Sequence, residues 1–552
     1  MSRPRRVAAG AVTALAALLV YLALVVPEQI AQLPAGASPW VALLRLPVEA
    51  LLAAAILLVL PARMRNAAAV ALGGVLGLLT VVKIIDVGFL AVWARPFDPL
   101  LDWPLFADAY RFVRDSFGTA GAIGAAVGAV LLAAGVPVSM VYAVRRLAAV
   151  AARHDRRARA GVGVAAVAWL ALAVFGVSLV PGVAVASDSA AVLARDQVLR
   201  VPAAAHDRRE FTSEAAADAF RDAPPASLLT ALRGKDVIFA FVESYGRSAL
   251  EDPRLNQQVN EVLAAGTAQL ADAGYASRSG FLTSPTTSGG SWLAHSTLHS
   301  GVWVDNEQRY RSLVATDRLT LTGAFRKTGA WSTVGVEPGI TFAWPEANFY
   351  GFEKLYDSRT LGYAGPAFGW APVPDQFTLK TFTDREYLRP GRGPLLAEIT
   401  LVSSHTPWAP VPSLVGWDEL GDGSLFAAQH RAGPSAAKVW KNPAKVRAGY
   451  TQAVTYSVGS LISWVREYGN DDLVLVMLGD HQAAPIVVGD TASYDVPITI
   501  VARDRTVLDR VADWGWTDGL KPDPQAPVWR MDTFRDRFLT AFGAGGDHPQ
   551  PR

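Results

Sequence analysis

The chain has 552 residues, 51% of them hydrophobic and only 18% charged, with a formal net charge of +2. So large an apolar share is high for a wholly soluble protein and points to a membrane portion, while a near-neutral balance supplies no basic field and argues against nucleic acid as a partner. There is no cysteine and there are eight histidines, which excludes disulfides, cysteinyl metal sites and a thiol nucleophile; any metal must be held by His, Asp, Glu or hydroxyl oxygen.

In chain order, five apolar stretches come first, at about 7–26, 43–61, 67–93, 121–143 and 161–181, each near the ~20 residues that a membrane-crossing helix requires. The first follows Arg3, Arg5 and Arg6 as a signal peptide would, but it is long and similar stretches follow, so it reads as a retained helix. Arginines fix the orientation, because positive short loops stay in the cytoplasm. With the N-terminus inside, the inner segments hold Arg3, Arg5, Arg6, Arg63, Arg65, Arg145, Arg146, Arg153, Arg156, Arg157 and Arg159, against Arg95, Arg111 and Arg114 outside. Five crossings then place everything after residue 181 outside the cytoplasm. Within the spans, Arg45 with Glu49 and Lys83 with Asp86 stand at helical spacing and read as self-neutralising structural pairs. The expected organisation is a five-helix transmembrane domain over 1–181, an extracytoplasmic tether over 182–230 and a catalytic domain over 231–545.

In that last part, short β-type runs bounded by Gly, Pro and Asp alternate with helical patterns, which predicts an α/β sheet. Three apolar runs end abruptly in polar clusters: DVIFAFVES at 236–244, LLAEITLVSSHTPW at 395–408 and LVLVMLGDHQ at 473–482. Ligands bind beyond the carboxyl ends of such strands, so clusters far apart in sequence can converge. Glu243 is an acid at the end of an all-apolar strand, costly to bury without a cation or a hydrogen-bond network. Asp480 and His481 offer a carboxylate and an imidazole side by side, a ligand pair for a divalent ion.

The turn SPTTSGGS at 284–291 opens a helix. Its glycines let the backbone approach a tetrahedral anion, the helix N-terminus presents free N–H groups, and a hydroxyl there bound to a metal becomes a nucleophile; the same pattern also fits a Ser/Thr helix cap. His405 is a candidate for holding phosphoryl oxygens or protonating a leaving alkoxide, or else a capped turn histidine. His295 and His299, four residues apart on that helix without a glutamate between them, suit packing or support of the site rather than a zinc pair.

Together these segments resemble lipoteichoic acid synthases and the related phosphoethanolamine transferases of the alkaline phosphatase and sulfatase superfamily: VES at Glu243, TTSGGSWLAHSTL around Thr287, HTPW at His405, WPEANFYGFEKLYD at 344–357 and LGDH at Asp480 and His481. The resemblance implies five transmembrane helices, a tether and a sulfatase-like domain with a central mixed, mostly parallel sheet. It implies one divalent ion, Mn or Zn with Mg as a further option, held by Glu243, Thr287, Asp480 and His481, with Thr287 as nucleophile. The sulfatase signature laid on SWLAHSTLHSG makes Ser291 the equivalent residue instead, and Thr286 is a third candidate. Leu293 and His295 stand where that signature has Pro and Arg, which disfavours sulfate-ester hydrolysis. The 344–357 stretch also lacks the Arg that the synthases use on glycerol phosphate. The implied activity is transfer of a phospho-head group from a phospholipid donor to an envelope polysaccharide or glycolipid by a multi-pass plasma (inner) membrane enzyme. The rival readings are a phosphodiesterase-type hydrolase and a non-enzymatic envelope-ligand sensor.

Overall fold

The computed structural model describes residues 3–26, 43–93, 95–99, 101–180, 183–489 and 491–544. The chain divides into two compact units, residues 1–91 with 95–206, and residues 92–94 with 207–552.

The first unit is helical: α1 (Arg3–Val25), α2 (Val48–Val59), α3 (Ala62–Trp93), α4 (Leu105–Arg153) and α5 (Asp155–Val174). Among the described residues, four segments are long and apolar enough to cross a membrane: Arg5–Val25, Ala62–Leu90, Gly118–Arg153 and Asp155–Val174. Four of the five expected stretches are thus matched by candidate spans, and the fifth is not shown to be one. The stretch at 43–61 forms only the 12-residue helix α2, about 18 Å long against a hydrocarbon core of about 30 Å. In α4 the apolar part starts at Gly118, whose φ of 78° and ψ of 168° interrupt the helix. Gly73 and Gly77 of α3 lie against α4 so closely that a Cβ would stand 2.6 Å from the Val141 Cα and 2.4 Å from the Pro137 Cα, the close approach that small residues at four-residue spacing permit in lipid. The charged pairs have outside partners as well. Lys83 Nζ donates to the Leu24 carbonyl at 3.3 Å, Asp86 accepts from the Phe97 N–H at 2.8 Å, Arg45 donates to the Ala184 carbonyl at 2.9 Å and Glu49 accepts from the Ala191 N–H at 2.8 Å. The segment expected as a tether contains helix α6 (Ser189–Ala216).

The second unit is built on a nine-stranded sheet. Its strands are β1 (Asp236–Val242), β2 (Ala276–Thr283), β3 (Ser332–Glu337), β4 (Lys354–Asp357), β5 (Leu395–Leu401), β6 (Leu473–Gly479), β7 (Asp495–Ala502), β8 (Thr517–Asp518) and β9 (Val528–Arg530). The order is β8-β2-β7-β6-β1-β5-β3-β4, with β9 beside β2. Strands β6, β1, β5, β3 and β4 run parallel, whereas β7 is antiparallel to both β6 and β2, so the sheet is mixed and mostly parallel as expected. The reason lies in the sequence: β1, β5 and β6 are mostly apolar, interrupted only by Asp236, Glu398 and Thr400, with every residue buried, the composition of parallel strands covered on both faces. One face of β1 (Ile238, Ala240, Val242) packs with Val259 and Leu263 of α7 (Asn256–Asp272) and with Val454 and Leu461 of α9 (Pro443–Tyr468). The other face (Val237, Phe239, Phe241) packs with Ala294 and Leu298 of α8 (Ser291–Ser300) and with Phe538. Each of the larger of these side chains contributes about 1.5–3 kcal/mol on burial, so the strand ends that carry the polar clusters are anchored in the core of the unit.

Candidate metal and phosphoryl-transfer centre

Register brings the clusters together. Val242 pairs with Gly479 on one side of β1 and with Leu401 on the other, so Glu243, Asp480 and the SSHTPW segment leave the sheet at one end. Gly479 has a steric reason to be glycine: a Cβ there would lie 1.9 Å from the Tyr245 carbonyl oxygen, a backbone atom. The chain crosses itself at that point, and only the absence of a side chain lets Asp480 follow β6 directly beneath the β1 turn.

Glu243, Asp480 and His481 are all buried, and each offers a ligand atom within 4.8 Å of the others. His481 Nε2 lies 3.3 Å from Glu243 Oε1 and 3.6 Å from Asp480 Oδ2. The tautomer follows from the other nitrogen. Nδ1 is 2.8 Å from the Gln482 carbonyl, which can only accept, so Nδ1 carries a proton and Nε2 is the nitrogen that faces the cluster and would offer its lone pair to a cation. Asp480 Oδ1 accepts from the N–H groups of Ser244 and His481, both at 2.7 Å, while its Oδ2 is buried with no hydrogen-bond partner. A buried carboxylate oxygen left open beside an imidazole lone pair and a second carboxylate is what a divalent cation would satisfy, and the oxygen and nitrogen donors fit zinc or manganese.

Electrostatics point the same way. Burial and the neighbouring Glu243 push the Asp480 carboxyl up to about 7. Burial works against the charge on His481, yet the two carboxylates raise it to about 9. Burial would also raise Glu243, but His481 and His405 outweigh it and hold that carboxyl below the usual range. Three titratable groups are thus held in one desolvated space, where a shared cation would relieve the repulsion between the two acids.

Of the three candidate hydroxyls, Ser291 is the one hydrogen-bonded to this cluster: its Oγ donates to Glu243 Oε2 at 3.0 Å and is 3.2 Å from His481 Nε2. Thr286 turns its hydroxyl onto the Gly289 carbonyl at 2.6 Å, and Thr287 lies half-buried in the turn. The backbone explains the choice. Ser288, Gly289 and Gly290 have φ of 66°, 155° and 76°, and Ser288 N–H donates to the Gln482 carbonyl at 2.8 Å. This left-handed run re-aims the chain so that Ser291, first residue of α8 and preceded by the left-handed cap Gly290, meets the strand ends. His405 stacks on Trp370, ring centroids 3.9 Å apart. Its Nδ1 donates to the Thr406 carbonyl at 2.6 Å, leaving Nε2 open. Burial lowers its pKa, opposed by Glu243, which is close enough to act on its charge.

Sequence reasoning passed over several neighbours. Ser244 donates through Oγ to Glu243 Oε1 at 2.9 Å, and Ser284 donates to the Asp480 carbonyl at 2.6 Å. Gln482, whose side-chain atoms are buried without hydrogen-bond partners, faces Gly246, where a Cβ would lie 1.9 Å from its Oε1. Ser244 is the β1-end residue next to Glu243 and has a left-handed φ of 56°; adjacency was its only signal. His295 and His299 lie away from this cluster, on Glu398 of β5.

Comparison with protein-family models and with curated proteins gives no match. Among solved structures, the chain is similar to the lipoteichoic acid synthase LtaP from Listeria monocytogenes, with 17% identity over 49% of this chain and 66% of that one, TM-score 0.34. It thus spans a little under two thirds of LtaP. It is also similar to a protein in the alkaline phosphatase superfamily from Vibrio parahaemolyticus, with 17% identity over 51% of this chain and 64% of that one, TM-score 0.33. A third likeness is to the Streptococcus pyogenes phosphoglycerol transferase GacH in complex with sn-glycerol-1-phosphate, with 10% identity over 62% of this chain and 82% of that one, TM-score 0.34.

Proposed function

We propose that this chain is a membrane-anchored, metal-dependent phosphotransferase. Ser291 takes a phospho-head group, of the phosphoglycerol or phosphoethanolamine kind, from a phospholipid and passes it to a hydroxyl of an envelope glycan or glycolipid. The observation that carries the reading is the Ser291 hydroxyl at the first position of a helix, 3.0 Å from Glu243 Oε2 and 3.2 Å from His481 Nε2. Glu243, Asp480, His481 and Ser291 are the residues that would hold a zinc or manganese ion. Such an ion, when bound, acidifies the serine hydroxyl and polarises the phosphoryl oxygens.

The remaining steps belong to the chain. The Ser291 oxygen forms a bond to phosphorus as the bond to the diacylglycerol oxygen breaks; the serine proton passes to the open Nε2 of His405 and from there to the departing alkoxide. The N-terminus of α8, which begins at Ser291, turns its positive dipole end and backbone N–H toward the equatorial phosphoryl oxygens. In the second half the acceptor hydroxyl loses its proton to His405 Nε2 and attacks phosphorus, and the same proton returns to the Ser291 oxygen. The apolar helices hold the unit at the lipid surface, raising the local concentration of donor. On this reading residues 1–181 anchor the chain, 182–230 link, and the catalytic domain at 231–545 works outside the cytoplasm.

The test uses the full chain in vesicles containing phosphatidylglycerol or phosphatidylethanolamine labelled in the head-group phosphate, with envelope extract as acceptor. Diacylglycerol release and label in the extract are expected, with a loss of at least about 1,000-fold in S291A and E243Q. Label recovered only as soluble phosphate or phosphomonoester marks a hydrolase. Unchanged release by S291A contradicts the reading.

A further inference from the structure

We infer that the second unit holds another divalent cation, buried under α8 between the helix and the sheet, with His295, Glu337 and Glu398 as its ligands. The three residues are 7%, 7% and 2% exposed, and each offers a ligand atom within 4.8 Å of the others. They come from three elements. His295 is on α8, Glu337 ends β3, and Glu398 lies in the middle of β5, in register with Gly335 of β3 and Phe239 of β1.

Two observations point to an ion rather than to a closed hydrogen-bond network. First, charge: two carboxylates lie in one desolvated space, and among the described residues neither forms an ion pair with a lysine or arginine, the only ion-pair partners being the imidazoles of His295 and His299 on Glu398. Burying two anions together without a fixed cation is costly. Second, unsatisfied atoms: His295 Nε2 and Glu337 Oε1 are both buried without a hydrogen-bond partner. The surroundings are preorganised. Thr400 Oγ1 donates to Glu337 Oε2 at 2.7 Å, His295 stacks on Phe241 with centroids 3.7 Å apart, and Tyr350 meets His299 edge to face. Imidazole with two carboxylates is a donor set for a first-row divalent ion such as zinc or manganese.

The placement gives the ion a positioning role. His295 lies one helical turn beyond Ser291, so a cation tying His295 to β3 and β5 fixes the rotation and height of the helix that presents the Ser291 hydroxyl.

The test is metal content of the full chain in detergent, saturated separately with zinc and with manganese and then freed of loose ion, together with anomalous scattering from crystals. Two equivalents per chain are expected with at least one of the ions, falling to one in E398Q and in E337Q. E243Q alone also falls to one, by losing the other ion, and E243Q combined with E398Q falls to none, so the two sites are told apart. An anomalous peak is expected among His295, Glu337 and Glu398 of the unsubstituted protein, which decides the matter even if both variants fail to fold. A single equivalent with both ions and no such peak overturns the inference, and so does E398Q that folds and retains two.

Discussion

Asp375 shows what a single buried carboxyl does in this unit. Its side chain is fully enclosed, Oδ1 accepts from the Ser403 N–H at 2.9 Å, and Oδ2 has no hydrogen-bond partner. Burial raises its pKa from 3.8 to about 6, partly offset by hydrogen bonds from Ser457 and Ser403. The folded state therefore holds its proton more tightly than the unfolded state. The stability this gives is fully present below pH 3.8 and is lost as pH rises through about 6, leaving at neutral pH a cost of about 3 kcal/mol. D375N, which keeps the acceptor and removes the charge, is expected to melt higher than the unsubstituted protein at pH 7.5 and to show little advantage at pH 4. Equal melting points at both pH values would contradict this. Residues at this scale differed in how far the sequence disclosed them. Glu243, Asp480 and His481 stood out because acids and imidazoles that interrupt apolar strands carry a desolvation cost that asks for a reason. Which hydroxyl of the 284–291 turn faces them was not legible, because the answer depends on the left-handed backbone of Ser288 to Gly290. Glu398 sits in the LLAEITL run as a lone acid, a signal of the same kind as Glu243 that went unread.

At the scale of elements, the strand ends are set by backbone crossings that tolerate no added atoms. In G479A the new methyl would meet the Tyr245 carbonyl oxygen at 1.9 Å, so β6 must separate from the β1 turn. A loss of about 3 kcal/mol or more is expected, together with weakened metal binding, since Asp480 and His481 follow directly. Denaturant titration of the full chain with and without metal checks both; unchanged stability would mean that the crossing is looser than described. The apolar strands of an α/β sheet were readable because strands buried on both faces lose the alternation of half-exposed ones; that the sheet is mixed and mostly parallel was implied by the family resemblance. The membrane elements were read less well. Residues 43–61 have the composition of a span, but strand Leu46–Pro47 and the extended residue Leu60 confine the helix to Val48–Val59, a limit set by conformation that hydropathy does not register.

For the whole molecule, that shortened helix bears on sidedness, because an even number of crossings returns the chain to the side on which it began. The absence of cysteine makes the question direct to address. With the catalytic unit outside, as proposed, D518C is expected to react with a membrane-impermeant maleimide in intact cells, its side chain being 88% exposed. H154C, between α4 and α5, is expected to react only after permeabilisation. Protection of D518C in intact cells would place the catalytic unit in the cytoplasm and remove envelope acceptors from consideration. The central claim, that four distant segments assemble one phosphoryl-transfer centre around the Ser291 hydroxyl, has a more direct test. The full chain is incubated with vesicles of head-group-labelled phospholipid, quenched in acid and digested, and the covalent phosphodiester is located by mass spectrometry. The modification is expected on Ser291 and absent from E243Q; a modification on Thr287 or another hydroxyl, or full turnover by S291A, would contradict the account.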